Sequence, residues 1–195
     1  YLILLIIFSG LFLRAYNPGL YVFGFDQVQI LENAKEIVSG NLTLIGPRTG
    51  PAGMFTGPLI YYLTAFLLLI IPSPWTIVAT SLTISLLTAI GLYLLVKRHL
   101  SINQALIILS IWALSPFLIY FDRITWNPNL TLLSSALVFF PLVSVLKSKP
   151  LSIVDYLTIA LGGFLSFQAH FSGFLLPALF IGTQLIWKKV NFKAT

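Results

Sequence analysis

Cysteine is absent from the 195 residues, which excludes disulfides, iron–sulfur clusters and thiolate chemistry together and leaves the redox compartment open. Charge is scarce too. Asp, Glu, Lys and Arg make up 8% of the chain, and only five residues are acidic, against about a quarter charged in an ordinary soluble domain. No internal repeat of fixed period and no soluble appended domain is visible. What is there is apolar: 58% hydrophobic residues and a mean hydropathy of +0.98. Several runs approach the roughly 20 residues that a helix needs to cross a hydrocarbon core of about 30 Å. The bilayer is therefore the solvent, and the fold class is an all-α polytopic membrane helix bundle. The formal net charge of +6 does not point to nucleic acid, because the basic residues form small clusters between apolar runs: Lys97-Arg98, Lys147 with Lys149, and Lys188-Lys189. Such clusters read as orientation signals.

Residues 1–13 form an apolar run shorter than a full span with no basic leader, as though the chain starts inside its first helix and is the N-terminal part of a longer protein. A cleaved signal peptide competes with that reading, but Arg14 to Pro18 offers no small-x-small cleavage site. Residues 14–56 form a first outer loop, where three of the five acidic residues, Asp26, Glu32 and Glu36, mix with bases. Between Asp26 and Ser39, Val28, Leu31, Ala34 and Val38 recur at three or four residues, which predicts a short amphipathic interfacial helix ended by Gly40. Residues 46–53 hold too much Gly and Pro for regular structure.

Residues 57–71 are apolar but reach only about 22 Å as a helix, short of a comfortable span. Longer runs follow at 75–96, 102–121, 130–146, 153–169 and 171–187. If 57–71 does not cross, the clusters at Lys97-Arg98-His99, Lys147/Lys149 and Lys188-Lys189-Lys193 all fall on one side, which the positive-inside rule makes cytoplasmic. If it crosses, Lys97-Arg98 joins the side of Asp26 and the other clusters cannot be reconciled with it. The expectation is thus six crossings plus one interfacial or re-entrant helix, all within a single transmembrane domain. The unusual polar residues then share the outer face: Asp26, Arg48, Tyr61, Tyr62, Arg123, Asn127, Asn129, Gln168 and His170.

Each of these residues has a chemical and a structural reading. Asp26, flanked by aromatics where a helix begins, is a candidate general base or a helix cap. Arg123, on a side where insertion does not favour basic residues, is a phosphate contact or the partner of Asp122. Thr158, Gly162, Ser166 and His170 recur every fourth residue, and the small ones allow close helix approach. His170 then either lines the cavity of Asp26 and contacts a phosphate or sugar, or ends a helix as a hydrogen-bonded polar group. Tyr61 and Tyr62 suit an interfacial aromatic belt as well as a site. The Asn-x-Thr patterns at Asn41 and Asn129 are too short to weigh. One Asp and one His far apart give no ligand spacing, so a divalent metal has no support from the pattern.

Taken in order, these pieces resemble the GT-C superfamily of glycosyltransferases that use polyprenyl-phosphate sugars, in its protein O-mannosyltransferase and aminoarabinose transferase branch (families 39 and 83). The resemblance rests on Phe25-Asp26-Gln27, Leu44-Ile45-Gly46-Pro47, Gly57-Pro58-Leu59-Ile60-Tyr61-Tyr62-Leu63, Ser115-Pro116, Arg123-Ile124-Thr125-Trp126-Asn127-Pro128-Asn129 and Gln168-Ala169-His170-Phe171-Ser172, and it covers nearly the whole chain. It implies inverting transfer of a sugar from a polyprenyl-phosphate donor to a glycan, lipid or protein acceptor at the extracytoplasmic face of the plasma (inner) membrane. It also implies that Asp26 is the base, that Arg123 and His170 are phosphate or sugar contacts, and that the helix from Gly57 offers the lipid tail a groove. Two departures from the family pattern bear on metal dependence and catalytic competence: Ile30 stands where relatives often carry a second acid, and Asn129 where many carry one. The rivals are a non-enzymatic lipid-linked-sugar flippase or transporter, and a fragment without activity of its own. Transporters tend to place their polar features near mid-membrane rather than at one face.

Overall fold

A computed structural model describes residues 1–49, 53–147 and 149–170, together with positions 175, 178, 179 and 182. Eight α-helices are seen among them: α1 (Leu2–Ala15), α2 (Phe25–Val38), α3 (Leu59–Ile70), α4 (Thr76–His99), α5 (Ile102–Leu114), α6 (Pro116–Asp122), α7 (Leu130–Leu146) and α8 (Ile153–Ala169). Two are long and apolar enough to cross a membrane: α4, and α7 with its leading 3-10 turn, Asn127–Leu146. The pair α5 and α6 makes a third if its 62° bend is counted within one span, while α1, α3 and α8 are shorter apolar helices. Helix length therefore supports two or three crossings among the described residues, against the six expected. The expected run 171–187 lies almost wholly outside them.

The sequence places some of these boundaries for local reasons. Pro116 has no N–H to offer the carbonyl of Trp112, so the run expected at 102–121 breaks into α5 and α6 at Ser115, whose hydroxyl caps α6. Helix α2 closes on Gly40, which takes φ +97°. There the N–H of Asn41 reaches the carbonyl of Glu36 and that of Gly40 reaches Ile37, a Schellman ending that needs a left-handed residue. The buried face of α2 is Gln27, Ile30, Leu31 and Ala34. Val28 and Val38, expected on it, point outward because α3 approaches from one side only. The stretch 46–53, expected to be irregular, opens a minimal hairpin of β1 (Arg48–Thr49) and β2 (Met54–Phe55).

The core is built around α4, which packs against α1, α3, α5 and α7. Gly162 lets α8 lie directly on α7: a Cβ there would stand 2.8 Å from the Cβ of Leu137 and 2.9 Å from the carbonyl oxygen of Ser134. Small residues at such crossings are how helices approach closely where lipid gives no hydrophobic drive. Helix α3 lies along only the first part of α4, with Leu59 and Leu63 packed against the cluster of Ile84, Leu130 and Ala169 and the hydroxyl of Thr80 donating to that of Thr64 at 3.1 Å. At the far end of α4, Arg98 pairs with Asp155 at 3.0 Å and Lys147 donates to the carbonyl of His99 at 3.2 Å. Arg98 and Lys147 thus lie at the end of the bundle away from α2 and the hairpin, which carry Lys35 and Arg48 of their own.

Candidate functional site

At the other end, four segments distant in sequence enclose a cavity of about 220 Å³. Its walls are the first turns of α2 (Asp26, Gln29, Ile30), the start of the hairpin (Pro47, Arg48, Thr49), the turn before α7 (Trp126, Asn127, Pro128) and His170, which ends α8. Asp26, Arg48, Asn127 and His170 are therefore brought together as a set.

Asp26 stands in the first turn of α2, where the N-terminal peptide dipoles favour a carboxylate. It is exposed. It is not the cap, which is Gly24, whose N–H donates to Oε1 of Gln27 at 2.9 Å. No hydrogen bond from a described side chain holds its carboxylate, which leaves it available to a ligand. Arg48 is likewise exposed, on β1. Asn127 is 8% exposed, and its amide donates to the carbonyl of Ala169 and, at 3.4 Å, to the hydroxyl of Thr56. It knits the base of the hairpin to the end of α8. Trp126 adds an aromatic wall. Its indole nitrogen is buried with no partner among the described residues.

The other expected site residues frame this cavity instead of lining it. Arg123 is the main correction: its Nη2 donates to the carbonyls of Leu13 and Tyr16, both at 2.8 Å. Those oxygens are orphans of the α1 C-terminus, and a guanidinium beside them satisfies both. Asp122, its expected partner in the structural reading, pairs with Arg14 instead at 2.6 Å. Asn129 accepts from the N–H of Trp126 at 2.9 Å and donates to the carbonyl of Phe121 at 3.3 Å, closing the turn that presents Asn127. Gln168 accepts from the N–H of Leu59 at 3.1 Å, so it caps α3. Gly57 lies so close to it that a Cβ would stand 2.0 Å from its Oε1. Tyr61 is 2% exposed, packed with Ile30, Leu31, Ile60 and Ile77. Tyr62 bonds both the carbonyl and the N–H of Thr43 through its hydroxyl, at 2.9 and 3.2 Å. Neither Tyr61 nor Tyr62 lines the cavity.

Two buried polar residues near the cavity and its frame escaped the sequence reading. Gln27, beside Asp26, is 2% exposed and bonded at both ends of its amide; its spacing of three from Gly24 matches a capping pattern that could have flagged it. Arg14 is wholly buried, and a lone Arg at the end of an apolar helix is itself a sign of a partner. Among the described residues no three His, Asp or Glu side chains group as a metal site requires.

No family model, curated protein or solved structure matches the chain.

Proposed function

We propose that this chain forms the membrane portion of a glycosyltransferase that moves a sugar from a polyprenyl-phosphate carrier to an acceptor at the extracytoplasmic face. The observation that carries this reading is the convergence of an exposed carboxylate, an exposed guanidinium, a buried amide and an imidazole from four segments on one cavity. In the proposed reaction the carboxylate of Asp26 takes the proton of the acceptor hydroxyl as its oxygen attacks the anomeric carbon. The sugar–phosphate bond breaks with inversion, and the phosphate leaves on its lipid. Arg48 takes over from Arg123 as the group that holds the phosphate, because its charge is not engaged by α1. Positioning and charge stabilisation then account for most of the rate. The cavity opens beside α2 and the hairpin, at the opposite end from Arg98 and Lys147, so the positive-inside rule puts it outside the cytoplasm. Six crossings fit this arrangement, with α3 kept in the outer leaflet by Gln168 and by its short contact along α4.

Two measurements test the reading. Asp26→Asn in the full chain should lower turnover by roughly a hundredfold to ten-thousandfold, with polyprenyl-phosphate-sugar binding nearly intact. Near-normal turnover in a folded, donor-binding variant removes the base. Cysteines placed singly at Ser73 and Ser101, at the two ends of α4, should react with an impermeant reagent from opposite sides. Labelling from the same side ends the proposed topology.

A further inference from the structure

Asp26 has no side-chain hydrogen bond from a described residue to set its direction, so its place at the cavity depends on the backbone of the first turn of α2. That turn is held by the side chain of Gln27, while the segment before it pairs with Ile124 through a hydrogen bond from the N–H of Val22 to the carbonyl of Arg123 at 3.2 Å. The amide nitrogen of Gln27 donates to the carbonyl of Thr125 at 2.8 Å, and its oxygen accepts from the N–H of Gly24 at 2.9 Å. Thr125 is itself wholly buried, with its hydroxyl on the carbonyl of Ile77 in α4 at 3.0 Å. The next two residues, Trp126 and Asn127, form the facing wall of the cavity. A chain of fixed contacts therefore runs from α4 through Thr125 and Gln27 to the turn bearing Asp26.

We propose that Gln27 is a positioning residue that sets the distance between the Asp26 carboxylate and the Trp126–Asn127 wall. The activity arm of this inference rests on the functional reading above; the geometric arm does not. An uncharged amide of this length is required because it must give a hydrogen bond at one end and receive one at the other. Glutamate only accepts when ionised, and methionine does neither. The rest of α2 is anchored separately, by Ile30 and Leu31 against Ile60, Tyr61 and Ile77. Loss of the amide should thus release the start of the helix without unseating it. A displacement near 1 Å at a reacting group is enough to cost about a hundredfold in rate.

The chain lacks cysteine, so spin labels can be placed at will. Labels on Phe25→Cys and Tyr120→Cys, both exposed positions, report the separation of the α2 start from α6 by pulsed electron resonance in nanodiscs. Gln27→Met and Gln27→Glu should each broaden or shift that distance distribution. In the unlabelled chain they should lower kcat about tenfold to a hundredfold with KM for the donor within about twofold. Gln27→Glu keeps the bond to Gly24 and loses the one to Thr125, so it isolates the second contact. An unchanged distribution in a folded variant overturns the proposal, as does a rise in KM at constant kcat, which would make Gln27 a ligand contact. Global loss of helix in both variants overturns it as well, since the role would then be the fold itself. Should the wild-type chain transfer no sugar, the functional reading fails while the distance distribution still decides the positioning claim.

Discussion

Arg14 and Asp122 meet at 2.6 Å with the arginine wholly buried, whereas Asp26 and Arg48 line one cavity, both exposed, with no ion pair recorded for either among the described residues. The first pair is fully committed. Arg14 also donates to the carbonyls of Gly10 and Trp112, each at 3.0 Å, and lies 4.2 Å over the indole of Trp112. The carbonyl of Trp112 is the one that Pro116 cannot serve, so a side chain from α1 repairs the break in α5. Gly10 is what allows the approach: a Cβ there would stand 2.5 Å from the ring of Trp112. The difference between the regions is one of satisfaction. Charges whose hydrogen-bonding capacity is used up inside the bundle define the fold, and those left open at its end are free to meet a ligand.

The largest expected effect breaks the committed side. Arg14→Ala should lower stability by about 3–5 kcal/mol, because it strands the Asp122 carboxylate and the Trp112 carbonyl in a low-dielectric interior. Denaturant unfolding in detergent reads this directly. The double change Arg14→Met with Asp122→Leu should recover most of the loss, as apolar replacements of buried pairs commonly do. A single-variant loss below about 1 kcal/mol would mean that water reaches the pair. A smaller effect sharpens the contrast between the other two arginines. Arg48→Ala should weaken binding of a polyprenyl-phosphate sugar by about 1.5–3 kcal/mol, the range of a hydrogen bond to a charged group, and leave the unfolding midpoint in place. Arg123→Ala should do the reverse, with affinity unchanged and stability lower by about 1–3 kcal/mol for the carbonyls of Leu13 and Tyr16 left unpaired. Titration of the two variants with the same donor and their melting curves decide the matter. An exchange of these outcomes returns the phosphate role to Arg123.

Much of the helical layout was readable from local pattern, since α7 and α8 coincide with apolar runs and α4 differs from its run by a few residues at the ends. The hairpin was not, because two-residue strands carry no periodicity and 46–53 is rich in residues that usually break structure. The bend at Pro116 follows from chemistry that the sequence displays, yet whether such a proline kinks or ends a helix depends on what replaces the lost bond. Four of the nine expected site residues line the cavity. The other five were rightly seen as unusual polar groups, but a polar residue in an apolar chain marks a need for a partner without saying whether that partner is protein or ligand.

By itself the sequence determined that this is an apolar helical chain suited to a bilayer, because burial in lipid demands long apolar runs and self-satisfied backbone, and both are local properties. It also determined that basic clusters separate from the acidic first loop along the chain. Only the tertiary structure decided which polar side chains were consumed and which remained open. Arg14, Arg123 and Gln168 find carbonyls and N–H groups at helix ends 98 to 110 residues away, and Asn129 finds its own 3 and 8 residues back, partners that the packed helices bring into reach. Asp26 and Arg48 have no side-chain hydrogen bond among the described residues, and that difference sets these two charged groups of the cavity apart from the arginines that the bundle engages.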